Sequence, residues 1–212
     1  MNKFNLDDIE TLEKIILSRR DVRGNRFIDS SVSDADLDKI IFAGVNAPSV
    51  GFSQPWEFVI IKDQKIRTEV KASFLEENEK AKTQFSTDKS DVYTQLKLEG
   101  ITESALNIAV FYKPSDHPVL GQTTMKEAGV YSVVCAIQNM WLMARALNIG
   151  LGWVSILDPN KVKAILNAPA DRQLIGYLCL GHVDEFYENP ELERLKWEKR
   201  KNNEDVVIRE KY

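Results

Sequence analysis

Arg19-Arg20-Asp21-Val22-Arg23 sets three guanidinium groups within five residues, just after one helical stretch and ahead of another. Arginine stays protonated, and its planar fork matches the oxygens of a phosphate, so the run predicts an anion site. On a solvated helix end the same side chains would face only the helix dipole and need no ligand. Asp21 is the exception. A carboxylate among arginines serves by default as an ion-pair partner, and beside a bound ligand it becomes a proton or hydrogen-bond acceptor.

Upstream, Asp7 to Ser18 reads as a helix with Ile9, Leu12, Ile15 and Ile16 on one face and acids in its first turn. Downstream, Ser33 with Asp36 announces a second helix that carries Leu37, Ile40, Ile41 and Ala43 inward and stops before Pro48. The loop Pro48-Ser49-Val50-Gly51-Phe52-Ser53-Gln54-Pro55 then combines hydroxyls, an amide and a glycine that lets backbone approach a ligand, a set suited to the polar edge of a planar ring. It equally suits a plain loop tucked beneath Trp56.

Trp56 to Ile61 reads as a strand, and residues 66–100 as a charged helical region divided near Ser86-Thr87-Asp88, with Val70, Phe74 and Leu75 on one face. Its interspersed acids and bases mark a solvated face. Ala105 to Tyr112 predicts a buried strand and Lys113 to Pro118 a loop. Lys126 to Asn148 is the most apolar helix, with Tyr131, Val134, Cys135, Gln138, Trp141, Leu142 and Arg145 at helical spacing and Gly150 as its stop. That near all-round apolarity suits a central or dimer-facing helix. Gly152 to Ile156, a Pro159 to Leu166 helix and a Leu174 to Gly181 strand follow, and Val206-Val207-Ile208 is the one strand-like stretch of the tail.

With 212 residues, 43% hydrophobic and 28% charged, the chain suits a single domain, 1–212, with 182–212 as an extended C-terminal arm. A net charge of -4 disfavours nucleic acid or an anionic membrane as partner, and the lack of a signal-like or spanning stretch predicts a cytoplasmic protein. Cys135 and Cys179 sit in apolar runs and read as buried core; with His117 and His182 far from any second ligand, no metal site is predicted. Gly150-Leu151-Gly152 precedes a strand rather than opening a helix, which excludes a dinucleotide fingerprint and makes close backbone packing against a ring its expected use. Neither a phosphate-loop motif nor a nucleophile elbow occurs.

The arginine segment, the Ser49 to Trp56 loop, and Gly150 to Ser155 followed by Leu178-Cys179-Leu180-Gly181 together resemble the FMN-binding nitroreductase superfamily in content and order. Within it the likeness is closer to the flavin-fragmenting 5,6-dimethylbenzimidazole synthase family. Four stretches carry this: Asp21, where common nitroreductases have serine in Arg-x-Ser-x-Arg; Ser49-Val50-Gly51-Phe52 ahead of Gln54-Pro55-Trp56; Lys97-Leu98-Glu99-Gly100-Ile101; and Gly152-Trp153-Val154-Ser155. Ser53 departs from the likeness, in which a bulkier residue such as methionine is common.

The resemblance implies an α+β, nitroreductase-like fold: a central mixed, mainly antiparallel sheet flanked by helices, with the C-terminal arm exchanged in a homodimer and FMN at the interface. It implies that Arg19, Arg20 and Arg23 hold the flavin phosphate and ring edge, with Asp21 and Val22 lining the pocket. Ser49, Leu98 and Ser155 then lie near the isoalloxazine, and the Gly51 amide contacts dioxygen. Asp21 and Ser155 are the expected catalytic residues. The implied substrate is reduced FMN from a separate flavin reductase, consumed with dioxygen to 5,6-dimethylbenzimidazole and a four-carbon sugar phosphate. The alternatives are an NAD(P)H-dependent nitroreductase or dehalogenase that recycles FMN, and a flavin-storage or flavin-sensing module without turnover.

Overall fold

The computed structural model describes residues 3–85 and 87–212, and of Thr87, Asp88 and Asp91 only the backbone. Its sheet is built from β1 (Trp56–Ile61), β2 (Leu106–Tyr112), β3 (Gly150–Val154) and β4 (Gln173–Gly181), in the order β1-β2-β4-β3. Every neighbouring pair is antiparallel, with Trp56 opposite Tyr112, Leu106 opposite Leu180 and Gly150 opposite Gly181. A bulge interrupts the β2–β4 ladder between Val110 and Phe111. The parallel component is one isolated bridge, Asp21 to Leu151, which adds the arginine segment to the free edge of β3.

β2 is central and buried from Leu106 to Phe111, as its largely apolar run requires, and its buried polar side chain, Asn107, donates to Ser104 Oγ at 2.8 Å and accepts the Tyr177 hydroxyl at 2.9 Å. One face of the sheet packs against α2 (Asp34–Val45) and α5 (Ala128–Ala146) around Ile40, Ile108, Ile137 and Met140. The other face packs against α3 (Gln64–Lys82) and α6 (Pro159–Ile165) around Val70, Phe74, Phe111 and Val162. Both layers serve the same end: they fix β3 and the turn beside it.

Caps set the helix starts. Asn5 and Asp8 form a reciprocal capping box at α1 (Leu6–Ser18), and Asp63 and Asp158 cap α3 and α6. At α2, Ser33 accepts from the Asp36 N–H as expected, but the Asp36 carboxylate takes the Ser33 hydroxyl at 2.8 Å instead of the cap backbone.

Several expectations are corrected. The stripe Tyr131, Val134, Cys135 and Gln138 lies on the open face of α5, while Ser132, Val133, Ala136, Ile137 and Met140 meet the sheet. A helix apolar all round does not reveal by periodicity which face is inner. Cys135 is therefore exposed; Cys179 is buried, and burial pushes its thiol up to about 12. No residue of α1 is buried, and Ile9, Leu12 and Ile16 are half exposed. Leu75 turns outward, leaving Val70 and Phe74 with Arg67 and Ser73 on the inner face of α3. Asn148, at φ 57, ends α5, and Gly150 already belongs to β3. α4 (Thr87–Gln95) follows α3, and the Ser86 breaker between them lies outside the described residues.

The tail divides further on than residue 182. Residues 183–197, including α7 (Glu191–Arg194), lie against their own chain, where Trp197 packs on Phe85 and Tyr93. Residues 198–212 are exposed throughout. Val206 ends a single helical turn, α8 (Asn203–Val206), and Val207 and Ile208 form no strand.

Candidate active site

The arginine turn is held on two sides. Arg19 is the C-cap of α1, and its N–H closes the helix on Ile15 O at 3.0 Å. The chain then runs extended beside β3, where the Val22 N–H donates to Leu151 O at 3.1 Å and the Trp153 N–H to Asp21 Oδ1 at 3.0 Å. An edge strand leaves such groups open; here the Val22 N–H satisfies the Leu151 carbonyl and the Asp21 carboxylate satisfies the Trp153 N–H. Gly152 permits the approach: a Cβ there would lie 2.1 Å from Val22 O. The glycine packs against backbone, where the sequence had pointed to a ring.

α5 braces the turn from behind. Trp141 Nε1 donates to Arg20 O at 3.0 Å, Arg145 Nε to Ser18 O at 3.0 Å, and the Arg19 guanidinium stacks 4.6 Å from the Trp141 ring. Trp141 and Arg145 were legible only as members of a helical stripe.

The three arginines have different tasks. Arg20 donates to four carbonyls, those of Leu17, Arg19, Tyr187 and Glu188, which commits four of its five N–H groups to binding the tail to the turn. Arg23 pairs with Asp21 Oδ2 and donates to Leu98 O at 3.2 Å and Trp153 O at 3.4 Å. Arg19 has no acidic partner among the described residues, and the same holds for Lys97. Arg19, Arg20, Asp21, Arg23 and Lys97 form one wall of a cleft of about 130 Å³, closed opposite by Pro190, Glu191 and Leu192. Neither Lys97 as a site residue nor the tail wall was apparent from sequence, since nothing local to residues 190–192 signals a ligand.

Asp21 sits at the base of this cleft with 34% of its side chain exposed. Burial pushes its carboxyl above the usual range, against the opposing pull of Arg23, the Trp153 N–H and Arg19. A carboxyl so balanced is an acid/base candidate rather than only an ion-pair partner. Val22 is buried beneath it.

The second group of expected residues lies elsewhere on the chain. Ser49 accepts the Gln54 N–H at 3.1 Å, and the Val50 N–H donates to Ser132 Oγ at 3.0 Å, tying the loop to α5. Gly51, Phe52 and Gln54 adopt φ of 55, 53 and 48, and a Cβ on Gly51 would meet Leu120 O at 2.6 Å. Left-handed backbone at Phe52 and Gln54 stores about 1–3 kcal/mol each, typical of ligand loops. Phe52 is 81% exposed, and the Ser53 hydroxyl is buried without a partner. Ser49 and Val50 line a shallow cleft with Tyr131 and Cys135 that shares no residue with the arginine cleft. Leu98 reaches Arg23 through its carbonyl while its side chain packs into the core, and Ser155 is exposed just beyond β3.

Among the described residues, no helix is long and apolar enough to cross a membrane. Residues 16–182 match the nitroreductase family. The chain is 41% identical over 192 residues to a 5,6-dimethylbenzimidazole synthase of Rhodospirillum rubrum, covering 90% of each chain. It is 36% identical to one of Rhodobacter capsulatus, covering 89% of this chain and 91% of that one. In fold alone it is similar to a BluB-like flavoprotein from Clostridium difficile 630, with TM-score 0.71 at 22% identity over 94% of this chain and 99% of that one.

Proposed function

The chain belongs to the nitroreductase family, and from that premise we propose that it is a 5,6-dimethylbenzimidazole synthase, which consumes reduced FMN and dioxygen and releases 5,6-dimethylbenzimidazole. The 41% identity across nine tenths of both chains supports this reading. The observation that carries it in the structure is Asp21: a carboxyl pinned by Trp153 and Arg23, raised by burial, and open to a cationic cleft.

The residues present fit a flavin phosphate. Arg19 and Lys97, the cleft cations without acidic partners among the described residues, bind it; Arg20 holds the tail that forms the far wall, and Arg23 orients Asp21. Reduced flavin supplies the electrons that activate dioxygen. Asp21 moves a proton at its carboxylate, and Ser155 orients the ring or ribityl group through its hydroxyl. Gly51 offers its backbone N–H to dioxygen in a loop already strained into a ligand-ready form.

One chain carries these parts as two separated half-sites, and the exposed apolar residues of α1 and the outer face of α5 offer a surface to a second copy. We assign the working unit as a homodimer in which the Ser49–Gly51 loop of one copy completes the arginine cleft of the other, with residues 198–212 reaching across. A single domain, a separate flavin reductase as electron source and a cytoplasmic location complete the assignment.

The test is product identity. Protein titrated anaerobically with reduced FMN and then opened to air should yield the benzimidazole; FMN that simply reoxidises intact would favour a recycling nitroreductase or dehalogenase.

A further inference from the structure

Arg67 lies on the inner face of α3, away from the arginine turn, and is 7% exposed. Its guanidinium stays charged under all working conditions. It donates to Ser104 O and Gln64 Oε1, both neutral, while its Nε is buried with no acceptor. Among the described residues it forms no ion pair. A buried charge without a counter-charge costs several kcal/mol, so such a group normally faces an anion.

Arg67 lines a cleft of about 550 Å³ that also presents Ser30, Ser31, Thr102, Ser104 and Gln64. The acids in the same wall are not its counter-ions. Glu103 pairs with Lys71 at 2.7 Å, and Asp29 is exposed. No residue of this cleft lines either half-site.

We infer that this cleft is a second ligand site, which binds a small oxyanion, a phosphate or a carboxylate, against Arg67 and the hydroxyls of Ser30 and Ser31. The inference does not rest on the proposed activity. In water an exposed arginine would gain little from such a ligand; here the anion supplies the charge the buried guanidinium lacks.

The experiment is thermal unfolding of protein saturated with oxidised FMN, so that the arginine turn is already filled. Sodium phosphate and sodium acetate are titrated in separate series, each against sodium chloride at equal ionic strength. Tm should rise saturably above the chloride series in at least one, by roughly 5 °C at one hundred times Kd. The stronger series identifies phosphate or carboxylate as the ligand class. Arg67→Gln should abolish the rise, and Arg67→Lys should retain part of it. Should Arg67→Gln not fold, the Ser30→Ala/Ser31→Ala variant keeps the guanidinium and should weaken binding several-fold. Both series tracking chloride, Arg67→Gln responding like the parent protein, or an unchanged affinity in the double serine variant would overturn the site.

Discussion

The main-chain N–H of Trp153 donates to Asp21 Oδ1 at 3.0 Å, tying the one acid of the arginine turn to the outer strand of the sheet. The carboxylate is thus positioned by the sheet while it also lines the cleft. Asp21→Asn keeps an oxygen for that N–H and removes the titratable group. Flavin affinity should change little, and benzimidazole formation should fall about 100-fold or more, the usual share of a general acid or base. Product quantified by chromatography after aerobic incubation with reduced FMN checks this.

The same residue sets a pH dependence of stability. Its folded pKa is raised above the ordinary 3.8, so the native state binds that proton more tightly than the unfolded chain. The stability it contributes is complete below the ordinary value and is lost as pH rises through the folded value. Asp21→Asn should therefore gain on the parent protein as pH rises from about 4 towards neutrality, reaching a plateau once the native carboxyl is ionised. Urea unfolding at stepped pH measures the difference; a variant that loses stability relative to the parent as pH rises would reverse the sign.

Gly152 leaves no room for a side chain, since a Cβ would sit 2.1 Å from Val22 O. Gly152→Ala must push the turn off β3, breaking the Val22 and Asp21 bonds together. A loss of about 3 kcal/mol in urea unfolding is expected, with weaker flavin binding in whatever fraction folds.

Arg20 acts on the tail. With four carbonyls released, Arg20→Gln should free residues 186–192 while leaving the sheet intact. Hydrogen exchange should quicken at those amides in flavin-free protein and remain slow in β2 and β4. An unchanged tail would return Arg20 to direct phosphate binding.

Leu12 and Ile16 on α1 are about half exposed and face no part of their own chain's core. Burying their exposed halves against a second copy gives roughly 1 kcal/mol per side chain. If the working unit is the proposed homodimer, Leu12→Asp should shift sedimentation from dimer towards monomer and lower flavin affinity with it, because each proposed site draws on both copies.

Much of this was legible in the sequence. Strand β1 follows from Trp56 to Ile61, β2 from its largely apolar run, and α2 from the Ser33 cap. The arginine run pointed to a cleft that Arg19, Arg20, Asp21 and Arg23 do line together. Side-chain direction was less legible, because α5 is apolar on both faces and its apolar run read Cys135 as buried core, whereas it is exposed. The division of labour among the arginines was hidden too. Arg20 spends its donors on carbonyls 167 and 168 residues away, a contact no local pattern announces. Lys97 and Leu192 meet the turn only through tertiary folding.

The most direct measurement is the fate of the flavin carbon. Purified protein with a known amount of reduced FMN, exposed to air, should lose FMN and gain 5,6-dimethylbenzimidazole in near-equal molar amounts, with neither change in Asp21→Asn. Full recovery of intact FMN with no benzimidazole from the parent protein would contradict the assignment.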